Sequence, residues 1–186
     1  MPGIYVYRRS GVTNNADVKQ HYTLTITFTE PLLGSRKDYK AAPHSYFYKD
    51  MNGRPLLLDR HIMGFFKEAA RALNDVYGND LVGILTRKVF IKPREMPLIL
   101  PGDSSIYILD RPPHLVRREG KKVETREETS EAAPVGTEVQ CELLVYPGVS
   151  MDIFTALLEY GALKGIGLGR NQGFGRFTYK LEMKDE

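Results

Sequence analysis

Near its C-terminus the chain runs Gly165-Ile-Gly167-Leu-Gly169-Arg170-Asn171-Gln172-Gly173-Phe174-Gly175-Arg176-Phe177. Glycine loses more conformational entropy on folding than any other residue, so this density implies positive φ or close approach to the main chain. A phosphate chain lying on such a loop would require both, since exposed N–H donors without Cβ obstruction and nearby guanidinium forks make an anion cradle. The candidate phosphate contacts are Gly167, Gly169, Arg170, Asn171, Gln172, Gly173 and Arg176. The competing reading is a glycine-rich turn or bulge between a helix and an edge strand.

Two further groups of cations could follow a polyanion. Arg36, Lys37 and Lys40 fall in a long basic loop between Pro31 and Pro43, and Arg117, Arg118, Lys121, Lys122 and Arg126 fall on a basic hairpin with Gly120 at its tip. Such contacts give affinity without sequence choice. Tyr46, Phe47 and Tyr48 interleave with the basic loop and offer base-stacking faces, or else pack as core. For the hairpin, the alternative is a solvated charged ribbon, because Glu119, Glu124, Glu127 and Glu128 offset its cations.

Composition bounds the partners. The chain has 186 residues, a net charge of +3 and 42% hydrophobic residues, which suits one domain, 1–186, with an insertion at 93–135. Its pI of 8.9 permits a polyanionic partner without requiring one. The single cysteine, Cys141, excludes an intramolecular disulfide framework and a thiolate zinc cluster, and its apolar surroundings mark it as core. No apolar run approaches a membrane span, and Met1-Pro-Gly-Ile-Tyr lacks the regions of a signal peptide, so the expected location is cytoplasmic, with no membrane partner.

These side chains need elements to position them. Residues 1–20 read as a loose arm or a first edge strand. Tyr22, Leu24, Ile26 and Phe28 alternate with threonines, a half-buried strand. Asp50-Met-Asn52-Gly53 reads as the turn of a hairpin. Asp59 is placed to cap a helix with Ile62, Phe65, Phe66, Ala69, Leu73 and Val76 on its apolar stripe and Gly78-Asn79 as its stop. Lys88–Lys92 is a short strand, Pro93–Pro101 an extended path and Ile106–Leu109 a further small strand. Glu127–Pro134, acidic and rich in small residues, is expected to be mobile. Glu138–Val145 alternates again, Ser150 caps a helix with Phe154, Leu157, Leu158 and Gly161 on its stripe, and Phe174–Met183 forms the last strand. Strand–helix–strand–strand–helix–strand folds as an α+β domain. The expected form is a ferredoxin-like (RRM-like) βαββαβ antiparallel sheet with a β-hairpin thumb and a C-terminal glycine-rich loop, its open sheet face serving as an RNA platform.

The sequence resembles the RAMP superfamily of CRISPR-associated proteins. Gly167–Phe177 looks like that family's glycine-rich loop before the last strand. The run Thr27-Phe-Thr-Glu-Pro31-Leu-Leu-Gly34, followed by Asn52-Gly53-Arg54-Pro55-Leu56-Leu57 and the Ile62–Lys67 helix start, is similar to the layout of effector-complex backbone subunits. Where those subunits carry Pro-Gly-Ser-Ser-hydrophobic-Lys-Gly, this chain reads Leu58-Asp-Arg60-His61-Ile-Met-Gly64. The resemblance implies binding of single-stranded nucleic acid, RNA or else single-stranded DNA, by a homo-oligomer along the strand with other effector subunits as partners. The basic hairpin stands where the thumb would be.

It also implies a rival, a metal-independent endoribonuclease, for which His44 beside Lys40, Tyr46 and Lys49 is the best placed of the four histidines. Asp38 stands where some backbone subunits hold a metal-assisted cutting aspartate, without visible partners. A phage structural or interaction protein is the third reading. No metal or cofactor is expected, because no cluster has ligand spacing. The glycine run lacks a Gly-Lys-Ser/Thr ending and precedes a strand, which excludes a phosphate-loop NTPase and a dinucleotide fold. The expectation is binding without turnover.

Overall fold

The computed structural model describes residues 19–37, 45–77, 80–116 and 124–184, with the backbone alone at 112–116 and 124–127. In chain order the strands and helices are β1 (Gln20–Phe28), β2 (Leu32–Leu33), β3 (Arg36–Lys37), β4 (Ser45–Tyr46), β5 (Tyr48–Lys49), β6 (Pro55–Leu58), α1 (Asp59–Ala72), α2 (Asn74–Tyr77), α3 (Leu81–Lys88), β7 (Val89–Lys92), β8 (Glu95–Pro97), β9 (Tyr107–Val116), β10 (Glu124–Ala133), β11 (Glu138–Val145), α4 (Met151–Lys164) and β12 (Phe177–Met183). The fold is α+β.

The main layer is a four-stranded antiparallel sheet in the order β12-β1-β11-β7. Alternation in β1 and β11 buries Tyr22, Leu24, Ile26 and Phe28 together with Val139, Cys141, Leu143 and Val145. The apolar stripes of α1 (Ile62, Phe65, Phe66, Ala69) and α4 (Phe154, Leu157, Leu158) are buried in the same core. Phe66 packs on Phe154 with ring centroids 5.1 Å apart, tying the two helices to each other as well as to the sheet. Ser150 caps α4 by accepting the Ile153 N–H at 3.3 Å. The opposite face of β12, β1 and β11 carries Thr23, Thr25, Thr27, Glu138, Gln140, Glu142, Lys180 and Glu182, with Lys184 bonded to Glu142 and Lys180 2.8 Å from Glu182. The expected RNA platform there carries His21 on β1 and, at its β7 edge, the exposed Phe90 with its ring 5.6 Å from that of Tyr146, and it already pairs much of its charge.

Several expectations are corrected. Asp59 is the first residue of α1 rather than its cap, and Val76 is exposed on the short helix α2. Helix α3 stands where no helix was expected, because Leu81 and Leu85 alone supply its buried face. The Pro31–Pro43 loop contains β2 and β3, and Pro93–Pro101 contains β8. The expected arm at 1–18, the helix stop at Gly78-Asn79 and the hairpin tip at 117–123 lie outside the described residues.

The largest correction concerns Glu127–Pro134. This stretch forms most of β10, which pairs with β9, with β2 and, in parallel at Ser130↔Ser45, with β4. Acidity misled because its carboxylates are buried with partners: Glu128 with Arg111, and Glu131 with Lys49 Nζ at 2.7 Å and the Phe47 N–H at 2.8 Å. Removing one member of a buried pair leaves an uncompensated charge, which typically costs about 3–5 kcal/mol. Glu128→Gln is therefore expected to lower the unfolding free energy from urea titration by that order, with a lower midpoint, while Arg111→Met with Glu128→Leu costs much less. Equal midpoints for the wild type and Glu128→Gln would show that the pair contributes nothing.

Candidate nucleic-acid interface

The glycine loop is built by its own backbone. Gly165, Gly167, Gly169, Gly173 and Gly175 have φ of 87°, 88°, 72°, 93° and 70°. A Cβ on Gly175 would collide with the Ile166 carbonyl, so no other residue fits there. The Ile166 N–H donates to the Gly175 carbonyl and the Gly175 N–H to the Pro31 carbonyl, each at 2.9 Å, while Gln172 and Gly173 donate to Gly169 and Arg170. The picture of a row of bare amides is thereby corrected: the amides of Ile166, Gln172, Gly173 and Gly175 are spent holding the loop in shape. Among the described residues, those of Gly167, Leu168, Gly169, Arg170 and Asn171 have no intramolecular acceptor.

The loop's side chains divide in the same way. Arg170 is paired with Glu68 of α1, and Asn171 accepts from Lys164 at 2.8 Å. Arg176 is exposed and has no partner among the described residues, while its carbonyl accepts the N–H groups of Thr29 at 2.9 Å and Glu30 at 3.3 Å.

One chain segment links this loop to the start of α1. Pro31 accepts from Gly175, and the Leu33 carbonyl lies 2.8 Å from where a Gly167 Cβ would be. Two residues further on, Ser35 Oγ is 3.3 Å from His61 Nε2. Arg36 and Lys37 follow on β3, both exposed and, among the described residues, without an ion-pair partner. Leu58 precedes α1 with no side-chain acceptor, so His61 reaches back from the first turn and its Nδ1 accepts the Leu58 N–H at 3.0 Å. Arg60 lies over the Tyr48 ring at 4.9 Å, and the His61 ring is 5.6 Å from it.

The outward face of α1 was missed by sequence reading, although the helix and its buried stripe were both recognised. Opposite that stripe stand Arg60, Gly64, Lys67 and Arg71, at i, i+4, i+7 and i+11. Among the described residues no carboxylate pairs with Arg60, Lys67 or Arg71. A helical wheel drawn for charge as well as for apolar residues shows this row.

Of the predicted site residues, Gly167–Gly173 and Arg176 stand in one loop, while Arg36 and Lys37 stand on β3, beyond the Pro31–Leu33 segment that touches it. Lys40, His44, Asp38, Arg117, Arg118, Lys121 and Lys122 lie outside the described residues. The aromatic trio does not form a stacking set: Phe47 is buried in the core, and Tyr48 is flanked by Arg60 and His61. His61 is poorly suited to act as a base, since Nδ1 is committed to the Leu58 N–H and Nε2 then carries the proton toward Ser35. Cys141 is buried and its thiol is pushed up to about 12, which makes it inert. Among the described residues no three His, Cys, Asp or Glu side chains are grouped to hold a metal ion, and no helix is long and apolar enough to cross a membrane.

No family model and no curated protein matches the chain. Its fold has solved counterparts, among them a chain in the cryo-EM structure of the Type III-B Cmr-beta bound to cognate target RNA, with a TM-score of 0.55 at 12% identity. The match covers 90% of this chain and 59% of that one, so this chain spans less than two thirds of its neighbour's length. At that identity the likeness is one of fold.

Burial first, and the neighbouring Arg60 second, pull the His61 pKa below the ordinary 6.5. The folded state therefore takes up this proton less readily than the unfolded chain. The stability it contributes is complete above about pH 6.5 and is lost as the pH falls below that value. Glutamine at this helix position can also accept the Leu58 N–H, without titrating. His61→Gln is thus expected to match the wild-type melting temperature near pH 7.5 and to lose less of it on acidification to about pH 5. Parallel melting-temperature curves over that range would contradict the assignment.

Proposed function

We propose that this protein binds single-stranded RNA through its phosphate backbone and works as a RAMP-like subunit that multimerises along the strand. The observation that carries this reading is a set of cations on three elements that have no carboxylate partner among the described residues: Arg36 and Lys37 from β3, Arg60, Lys67 and Arg71 from α1, and Arg176 from the glycine loop. Each is exposed or half-buried; backbone bonds join the glycine loop to the Pro31 segment, and the side-chain contacts Ser35–His61 and Arg170–Glu68 tie both to α1. Fixed cations following one path suit a polyanion better than a compact ligand.

The fold supports the same reading. Counting β1, β7, β11 and β12 as the four core strands, the sheet order is fourth-first-third-second, as in a ferredoxin-like unit, with α1 and α4 as its helices. In this view 93–135 is an insertion between the second and third core strands, and the β9–β10 ribbon is the base of a thumb. The neighbour of known structure, a chain of a Type III-B Cmr complex bound to target RNA, is in keeping with an effector-complex role. RNA and other effector subunits are then the partners, and single-stranded DNA is the competing ligand to test. The anion-binding role of the loop rests on the open amides of Gly167–Asn171 and on Arg176.

Fluorescence anisotropy with a labelled, unstructured RNA tests this directly. Combined Arg36→Ala, Lys37→Ala and Arg176→Ala is expected to weaken binding for every sequence tried. The log–log salt slope should flatten by about 0.7 for each phosphate that is no longer neutralised. An unchanged affinity and slope would remove this surface from any nucleic-acid site.

A further inference from the structure

Strand β12 is one edge of the main sheet, and among the described residues no strand pairs with its outer side. Its ladder to β1 uses the main-chain groups of Thr178, Lys180 and Glu182. The Lys184 N–H on the His21 carbonyl and the Thr29 N–H on the Arg176 carbonyl set that phase. The N–H and C=O groups of Phe177, Tyr179, Leu181 and Met183 therefore point outward, a template for another strand. The strand pairs with β1 without a bulge and holds no proline, so the usual devices that blunt an edge are missing. Apolar surface collects on the helix-bearing side of this edge. Met183 lies opposite the buried Tyr22 and is still 44% exposed. Burial first and Glu159 second push the Tyr179 phenol up to about 12, which places the Glu159 face of α4 beside β12. Leu163, one turn beyond Glu159 on that face, is 76% exposed. On the other face Lys180 and Glu182 are both exposed, 2.8 Å apart.

We infer that β12 is a pairing edge for a second copy of this chain, the two strands running antiparallel across a two-fold axis at Leu181 and joining two four-stranded sheets into one. In that register Leu181 faces its own counterpart and Tyr179 of each copy faces Met183 of the other, with about six N–H···O bonds closing the ladder. Charge selects it. Lys180 of each copy stands opposite Glu182 of the other, whereas a shift to either adjacent register of the same pleat sets Lys180 against Lys180 or Glu182 against Glu182. On the helix side the exposed Met183 thioether of one copy covers the Tyr179 ring of the other. The contact is isologous, so it closes at two copies and needs no RNA. It is separate from the multimer proposed along a nucleic-acid strand.

Sedimentation equilibrium of the nuclease-treated full chain at low salt tests the pair, and a dimer is the expected species. Lys180→Glu and Glu182→Lys each set like charges opposite one another at two positions and are expected to weaken self-association on the order of tenfold. An equimolar mixture of these two variants restores opposite charges at both positions and should associate as the wild type does. Met183→Pro removes an outward N–H that the β1 ladder does not use. It is expected to give a monomer whose melting temperature stays near that of the wild type. A wild-type chain that is monomeric throughout the concentration series would overturn the pair, whether the edge stays open or residues 1–18 of the same chain take it. So would a dimer that neither charge variant nor Met183→Pro weakens, and so would a mixture that associates no better than its components. None of these results bears on the RNA-binding reading, which the anisotropy experiment decides by itself.

Discussion

The clasp between Ile166, Gly175 and Pro31 is the constraint on which the candidate interface depends. Two N–H···O bonds of 2.9 Å close the glycine loop on itself and hook it to the β1–β2 connection. That hook allows no side chain at Gly175, and it fixes where the loop can go. Once closed, the loop delivers Arg170 to α1 and leaves Arg176 facing solvent. Glycine density here serves the packing of backbone on backbone, and the proposed polyanion surface rests on that packing.

Charge in this protein works by placement, not by sum. A net charge of +3 is a weak attractor over a surface of this size. Anions are consumed elsewhere: Asp50 pairs with Arg54, Glu142 with Lys184, Glu131 with Lys49 and Glu128 with Arg111. Among the described residues, the cations of the outward face of α1 and of β3 lack such partners. Local segregation of this kind raises the potential along one path while total charge stays small, and salt screens it strongly because the groups are exposed.

The second layer of the fold shows how buried polar groups specify an arrangement. Glu131 accepts from the Phe47 N–H and from Lys49, and its own carbonyl accepts the Gly34 N–H, so one residue of β10 registers three segments at once. Arg111 and Glu128 fasten β9 to β10 just beyond it, and burial pulls the Arg111 pKa down. Each of these groups would be costly if left unpaired, which makes a misregistered ribbon unfavourable. The base of the ribbon is held in place by charges that, read along the chain, suggested solvent.

What the sequence determined by itself is the set of elements governed by local periodicity and local chemistry. Alternation in Tyr22–Phe28 and Glu138–Val145, helical spacing from Ile62 to Ala69, the Asn52-Gly53 turn and the Ser150 cap all depend on neighbours a few residues away, so they can be read without a fold. Helix α3 was not legible, because a helix of two buried leucines carries too little pattern to stand out. The burial of Glu128 and Glu131, the core position of Phe47 and the commitment of both His61 nitrogens were decided only in the tertiary structure. Each depends on a partner distant in sequence, and desolvation by that partner changes what the residue can do. The glycine loop lies between the two cases: its need for glycine is written in the chain, but which amides are used was decided by how the loop folds on itself and by the Pro31 carbonyl that takes the Gly175 N–H.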